Sequence, residues 1–156
     1  MRRSRGLGDV YKRQPYSGLT TEAATSRFFE ILEHYKNYNF GKMAVILKDT
    51  HQIIGYCGFE ICEVDGQTEA ELGFRLIKTE RNKGYVLEAS LKLLEDMKNR
   101  NFKHVIAFSE KENLPAHNLL NKLGFEKTTS SSYMLSLIHI SEPTRPSHIS
   151  RMPSSA

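Results

Sequence analysis

A basic, glycine-bearing turn set between a strand and a helix constrains this chain more than any other feature. The strand ends near Leu76, the helix opens near Gly84, and Arg81-Asn82-Lys83-Gly84-Tyr85-Val86 lies between them. Farther on, Glu112 to Phe125 reads ENLPAHNLLNKLGF. A turn of the first kind aims several backbone N–H groups and the positive end of a helix dipole at one point, which is a site for a pyrophosphate. The expected ligand is therefore phosphorylated.

Each part also has a plainer reading. Arg-x-x-Gly arises often by chance, Lys83-Gly84 reads as a turn, and Asn113 reads as a helix cap. Found together, in this order and at this spacing, they favour a cofactor site. At these residues the sequence resembles the GNAT superfamily of acyl-CoA N-acyltransferases, in which Arg/Gln-x-x-Gly-x-Gly/Ala cradles the pyrophosphate of acetyl-CoA and a downstream Asn opens a helix ending in Lys-x-Gly-Phe. Arg81, Gly84, Asn113, Lys122, Gly124 and Phe125 match that pattern. Val86 departs from it, since the family prefers a small residue there, and a branched side chain would crowd a close backbone approach. The resemblance runs from about Thr20 to Tyr133, and over Ala70 to Ala89 it is to the ribosomal-protein N-acetyltransferase-like branch.

The resemblance implies a mixed α/β fold of the GNAT type with acetyl-CoA as cosubstrate and no metal. Two strands, here Glu69 to Leu76 and Lys103 to Phe108, would splay apart to admit the pantetheine arm. Backbone near Leu76 would pair with that arm as an added strand does, Asn113 would reach it with one donor and one acceptor, and Arg81, Asn82, Lys83, Gly84, Tyr85 and Val86 would hold the pyrophosphate. Lys122 and the Gly124-Phe125 pair read as a helix stop and core packing.

Acyl transfer to an amine also needs a proton acceptor. Glu71, on the polar side of the strand leading into the turn, is the candidate base, directly or through water. A solvated strand carboxylate is the competing reading, and Glu60 and Glu69 are rival bases. In the α-amine branch of the superfamily a Glu five residues before the Asn and a Tyr seven after it serve as base and acid. Here those places hold Phe108 and Leu120, so that chemistry does not carry over. His34, His104 and His117 lack the paired spacing of a metal site and read as surface or packing residues. The expected activity is an acetyl-CoA-dependent N-acetyltransferase acting on a protein N-terminus, a polyamine or another small amine. The alternative, motivated by Val86, Phe108 and Leu120, is an acyl-CoA-binding or regulatory domain without turnover. Oligomeric state is not legible.

Both ends read differently from the interior. Ser4 to Gln14 back-translates to a sequencing-library transposon adapter, Leu135 to Arg145 resembles the translated reverse complement of that adapter, and Ser150 to Ala156 resembles the primer segment beyond it. Residues 1–14 and 135–156 are therefore expected to be adapter-derived and disordered, with the domain spanning 15–134. A basic arm and a Ser/Pro-rich tail fit the composition equally well, but do not explain why the ends are reverse complements of one adapter. Residues 1–14 carry +4 and residues 135–156 carry +1, against +4 for the whole chain, so the interior is left at −1. A basic-patch case for nucleic acid lapses with the ends. The interior is the size of one domain. No apolar run approaches a membrane span, residues 1–14 lack the apolar centre of a secretory signal, and the expected compartment is the cytosol. Cys57 and Cys62, at odd separation on one strand, face opposite ways and cannot bridge.

Periodicity predicts a capped helix from Thr20, with Phe28, Phe29, Ile31, Leu32 and Tyr35 as its apolar stripe. A strand over Met43 to Leu47, a hairpin turn at Asp49 to Gln52, a long β segment from Ile53 to Val64 and a turn at Asp65-Gly66 follow. Ala70, Leu72, Phe74 and Leu76 alternate with Glu69, Glu71, Gly73 and Arg75 as a half-buried strand. Gly84 to Arg100 reads as a helix with Leu87, Leu91, Leu94 and Met97 inward. A strand over Lys103 to Phe108, a helix over Asn113 to Leu123 and a final strand from Phe125 complete the order. Relative to the family the chain is expected to lack a first strand and helix, with Leu135 to Ile140 a candidate to stand in for a lost final strand.

Overall fold

Thr20 starts the first helix as its composition predicts. In the computed structural model, which describes residues 20–64, 66–130 and 133–139 and the side chains through residue 127, its hydroxyl accepts the Ala23 N–H at 3.2 Å. Helix α1 (Thr21–Tyr38) then runs to Asn39, whose left-handed backbone (φ 57°) returns its N–H to Tyr35. Both ends are thus satisfied locally. The expectations for residues 1–14 and 140–156, and for Asp65, lie outside the described residues.

The expected apolar stripe of α1 does not face inward as drawn. Phe28, Phe29 and Leu32 are exposed, and the half-buried face is Arg27, Ile31, His34 and Tyr35. That face is on the i, i+4, i+7, i+8 spacing of one helix side, and two of its members are polar anchors. Arg27 reaches Glu60, and His34 Nε2 accepts the Ile61 N–H at 2.8 Å while Nδ1 donates to the Phe40 carbonyl at 2.8 Å. Specific partners, rather than hydrophobic area, fix how the helix sits.

Strands β1 (Lys42–Ile46), β2 (Ile53–Val64) and β3 (Gln67–Leu76) form an antiparallel meander. A short 3₁₀ turn (Lys78–Glu80) and helix α2 (Tyr85–Asn99) carry the chain to β4 (His104–Glu110), which lies parallel to β3. Helix α3 (Leu114–Lys122), β5 (Glu126–Ser130) and β6 (Tyr133–His139) finish the described chain, and the sheet order is β1-β2-β3-β4-β6-β5. The fold is the mixed α/β sheet with helices that the element order predicts. At its end, β5 begins where the final strand was expected, and β6 runs through the segment from Leu135 that was the candidate stand-in strand, past Met134, the domain boundary drawn from sequence.

The core is one cluster. Cys57, Phe59, Ala70 and Leu72 from the meander meet Leu94 and Met97 of α2, Val105 and Ala107 of β4, and Leu120 and Phe125 from the end of α3. Each buried Leu, Val, Phe or Met side chain among them contributes roughly 1.5–3 kcal/mol. Leu91, expected inward, is exposed instead. Fully buried Ser90 marks the middle of the inward face, and one residue of helix turns the next side chain by about 100°, so Leu91 points away while Leu94 and Met97 return. Gly124 (φ 89°) closes α3, with Phe125 N–H on the Leu120 carbonyl and Gly124 N–H on that of Asn121. This is the Schellman stop that Gly-Phe predicts.

Candidate functional site

Two strands that share a sheet yet hardly share a ladder create the site. β3 pairs with β2 along its whole length and β4 pairs with β6 along its whole length, but the ladder between β3 and β4 consists of Glu71 beside Ile106. Beyond that point neither strand completes the other. In an antiparallel pair successive residues turn their amides to opposite sides. Since Ile77 N–H goes to the Ile54 carbonyl on the β2 side, the peptide groups of Leu76 face the β4 side. That is the side on which an added extended segment would lie, and the Leu76 carbonyl already accepts there from Arg81.

The turn that follows β3 sits at this parting. Arg81 Nε donates to the Leu76 carbonyl at 3.0 Å and so ties the turn to the strand end; a guanidinium has further donors to offer. Lys83, expected as a plain positive charge, is bonded to Glu80, with Nζ to Oε2 at 3.0 Å. The positive character of the turn therefore rests on Arg81 and on the helix end. Asn82 (φ 62°) and Gly84 (φ 89°) are both left-handed, and Gly84 caps α2 without a side chain to accept from its first turn. The N–H groups of Tyr85, Val86 and Leu87 have no acceptor within the helix. A side chain on Gly84 would enter open space. Val86 is half-buried and packs against the core cluster, which takes up its branched side chain.

Asn113 stands at the end of β4, on the same side of the parallel pair as the turn after β3. Its Oδ1 accepts the Ala116 N–H at 3.3 Å, so it caps α3 as its plainer reading held. One residue on β4 was missed by sequence reasoning. Ser109 is buried, and among the described residues its Oγ has no hydrogen-bond partner. A buried hydroxyl so placed costs stability until a ligand or water satisfies it. Its signal was a hydroxyl following Val105 and Ala107 on one side of the strand.

Glu71 is not the solvated carboxylate that alternation allows. It is buried, 8% exposed, at the point where β3 and β4 touch, and directly opposite Glu60 of β2. The rival carboxylates are committed elsewhere. Glu60 receives Arg27 at 2.6 Å and Lys42 at 2.8 Å. Burial alone would lift the Glu60 carboxyl, but Lys42 and Arg27 overcome it and hold it below the ordinary glutamate range. Glu69 pairs with His104 Nε2 at 2.8 Å. His117 Nε2 contacts the Glu110 carbonyl at 2.9 Å, leaving each of the three noted histidines with a structural partner. Cys57 contacts Ser90 in the core, where burial raises its thiol, with the Ser90 contact opposing. Among the described residues no group of three or more His, Cys, Asp or Glu is arranged to hold a metal, and no helix is long and apolar enough to cross a membrane.

Comparison with known proteins bears on the family and the fold. A family model for the acetyltransferase (GNAT) domain matches residues 8–126. The chain is 34% identical to the uncharacterised N-acetyltransferase p20 of Bacillus licheniformis over 55% of its length, spanning 48% of that protein. It is 30% identical to the uncharacterised N-acetyltransferase YjdG of Bacillus subtilis, covering 67% of each chain. It thus spans from about half to two thirds of the length of these relatives. Among solved structures, a protein assigned to the GnaT-family acetyltransferases from Bordetella pertussis superimposes with a TM-score of 0.74 at 19% identity, covering 81% of each chain. Ribosomal-protein-S5-alanine acetyltransferase from Vibrio fischeri gives 0.66 at 19% identity, over 81% of this chain and 76% of that one. The yncA protein of Salmonella typhimurium, solved with its cofactor acetyl-CoA, gives 0.65 at 15% identity, over 79% and 78%. At such identities the likeness is one of fold.

Proposed function

This chain belongs to the GNAT acetyltransferase family, and on that premise we propose that it moves the acetyl group of acetyl-CoA directly onto an amine. One observation carries the reading: β3 and β4 pair at Glu71 and Ile106 and not beyond, with the N-terminus of α2, capped by Gly84 without a side-chain acceptor, after the turn that follows β3. The residues fit acetyl-CoA on three counts. The Leu76 peptide faces the gap, Ser109 has a buried hydroxyl without a partner among the described residues, and the first amides of α2 follow a cap that has no side chain to accept from them. Arg81, Asn82, Lys83, Gly84, Tyr85 and Val86 would hold the pyrophosphate, and Leu76 and Asn113 the pantetheine arm.

Acetyl-CoA supplies an activated thioester. The amine nitrogen bonds to its carbonyl carbon, the carbon–sulfur bond breaks, and CoA leaves as a thiolate that takes up a proton. The surplus proton on the amine passes to Glu71, directly or through one water. Burial at the point where β3 and β4 touch suits Glu71 to this role, since it sets the carboxylate where the two strands meet beside the gap. The acceptor class we propose is a protein N-terminus, a polyamine or another small amine. A fold neighbour that acetylates a ribosomal-protein alanine supports the first of these. Neither cysteine forms a disulfide, which suits the reducing cytosol we propose as the compartment.

Thiol release from acetyl-CoA with an alanine-terminated peptide and with spermidine tests the reading. Glu71→Gln is expected to lower kcat by roughly 10²–10⁴-fold and to remove the acid limb of the pH–rate profile. An unchanged profile would take Glu71 out of the mechanism. Tight acetyl-CoA binding without thiol release for a broad set of amines would replace transfer by binding alone.

A further inference from the structure

Lys42, Gly58 and Gly73 form one row across β1, β2 and β3, since Lys42 pairs with Gly58 and Gly58 pairs with Gly73. The next row on β2 and β3 is Glu60 opposite Glu71. Two glycines side by side leave a flat bed across which a long side chain can lie. A methyl group added at Gly73 would fall 2.8 Å from Lys42 Cε and 3.3 Å from Nζ, so the lysine stem occupies the place of the missing side chain. The ammonium ends on Glu60 at 2.8 Å, and the Lys42 side chain is 6% exposed. Gly58 itself lies so close to Gly41 that a methyl group would meet the Gly41 carbonyl at 2.3 Å, which holds β1 near enough for the reach.

From this row, and building on Glu71 as the base, we infer that Lys42 is a positioning residue that sets the proton affinity of Glu71 by holding a buried ammonium beside it. Opposed side chains on neighbouring strands start about 4.5–5.5 Å apart at Cβ. Glu71 precedes Gly73 on the same face of β3 and stands opposite Glu60, so the ammonium that spans Gly73 and Glu60 lies in the row beside the Glu71 side chain. Among the described residues the other charged groups on that face are Arg27 from α1, Glu60 from β2, His104 from β4, and Glu69 and Arg75 from β3 itself, with Cys62 and Tyr56 elsewhere along β2. Arg27 reaches Glu60 from the more exposed side, at 22% against 6% for Lys42, so solvent screens it more. His104 and Glu69 face each other as a pair. Lys42 is the cation of this face least screened by water.

The test reads the carboxylate rather than turnover. Full-length chain carrying ¹³C-labelled glutamate is titrated by NMR, the Glu71 side-chain signal being the one absent in Glu71→Gln. Lys42→Met is expected to raise the Glu71 midpoint by about one pH unit. Gly73→Ala keeps every charge and asks only the flexible end of a side chain to move, so it serves even if Lys42→Met does not fold. It should raise the midpoint in the same direction by a smaller amount. A Glu71 midpoint unmoved in the folded variants overturns the inference. The rate profile of Glu71→Gln judges the base separately: unchanged rates with a moved midpoint would reject the base and keep the electrostatic link.

Discussion

Ser109 shows what a single buried hydroxyl can report. Its removal in Ser109→Ala should leave thermal stability unchanged or slightly higher, because no internal hydrogen bond is lost. It should weaken acetyl-CoA binding about fivefold, the equivalent of about 1 kcal/mol for one hydrogen bond. Calorimetric titration alongside a melting curve checks both halves. Glu60 makes the opposite case, a carboxylate fully committed to structure. Its carboxyl is held below the ordinary glutamate range by Lys42 and Arg27 against the opposing effect of burial. The stability it contributes is present above the unfolded value of about pH 4.3 and is lost as pH falls through the lower folded value. Glu60→Gln should cost about 3 kcal/mol at pH 7, by stripping Lys42 of its buried counter-charge, and should flatten the acid side of the stability curve measured by urea denaturation. Glu71 was legible as the carboxylate leading into the turn. Its burial was not, because alternation along one strand says nothing of what covers its polar face.

At the scale of elements, α2 and its turn were the most legible, since glycine chemistry and a dipole end are written locally. Gly84 takes φ 89° with nothing near its missing side chain. Gly84→Ala should therefore cost about 1–2 kcal/mol of backbone strain without a clash, and relief of that strain at the cap should shift the first amides of α2 and weaken acetyl-CoA binding. Helix α1 was less legible. Its existence and both ends follow from Thr20 and Asn39, but its seating depends on Arg27 and His34 finding Glu60 and Ile61 far along the chain. The β1 ladder reaches only as far as Gly58 on β2, and His34 takes over at Ile61. His34→Ala should leave that N–H without its acceptor and lower stability by about 1–3 kcal/mol, as denaturant unfolding would show. Leu91 was misplaced for a related reason: two apolar registers fit the same helix, and Ser90 selects one by fitting against Cys57.

For the whole molecule, the order of strands and helices was readable because each element carries its own period and stop signal. Strand pairing beyond residue 125 was not, since two short strands and one long one share the same composition. The parting of β3 from β4 belongs to this scale, for it arises from each strand being fully paired on its far side and hardly at all between them. That gap, with the amides of α2 at its mouth, is the central structural claim about function. Isothermal titration of the full-length chain with acetyl-CoA tests it most directly, with Gly84→Ala as the matched control. Saturable one-to-one heat that weakens in the variant is the predicted result; no heat at millimolar acetyl-CoA, or equal affinity in both proteins, would contradict it.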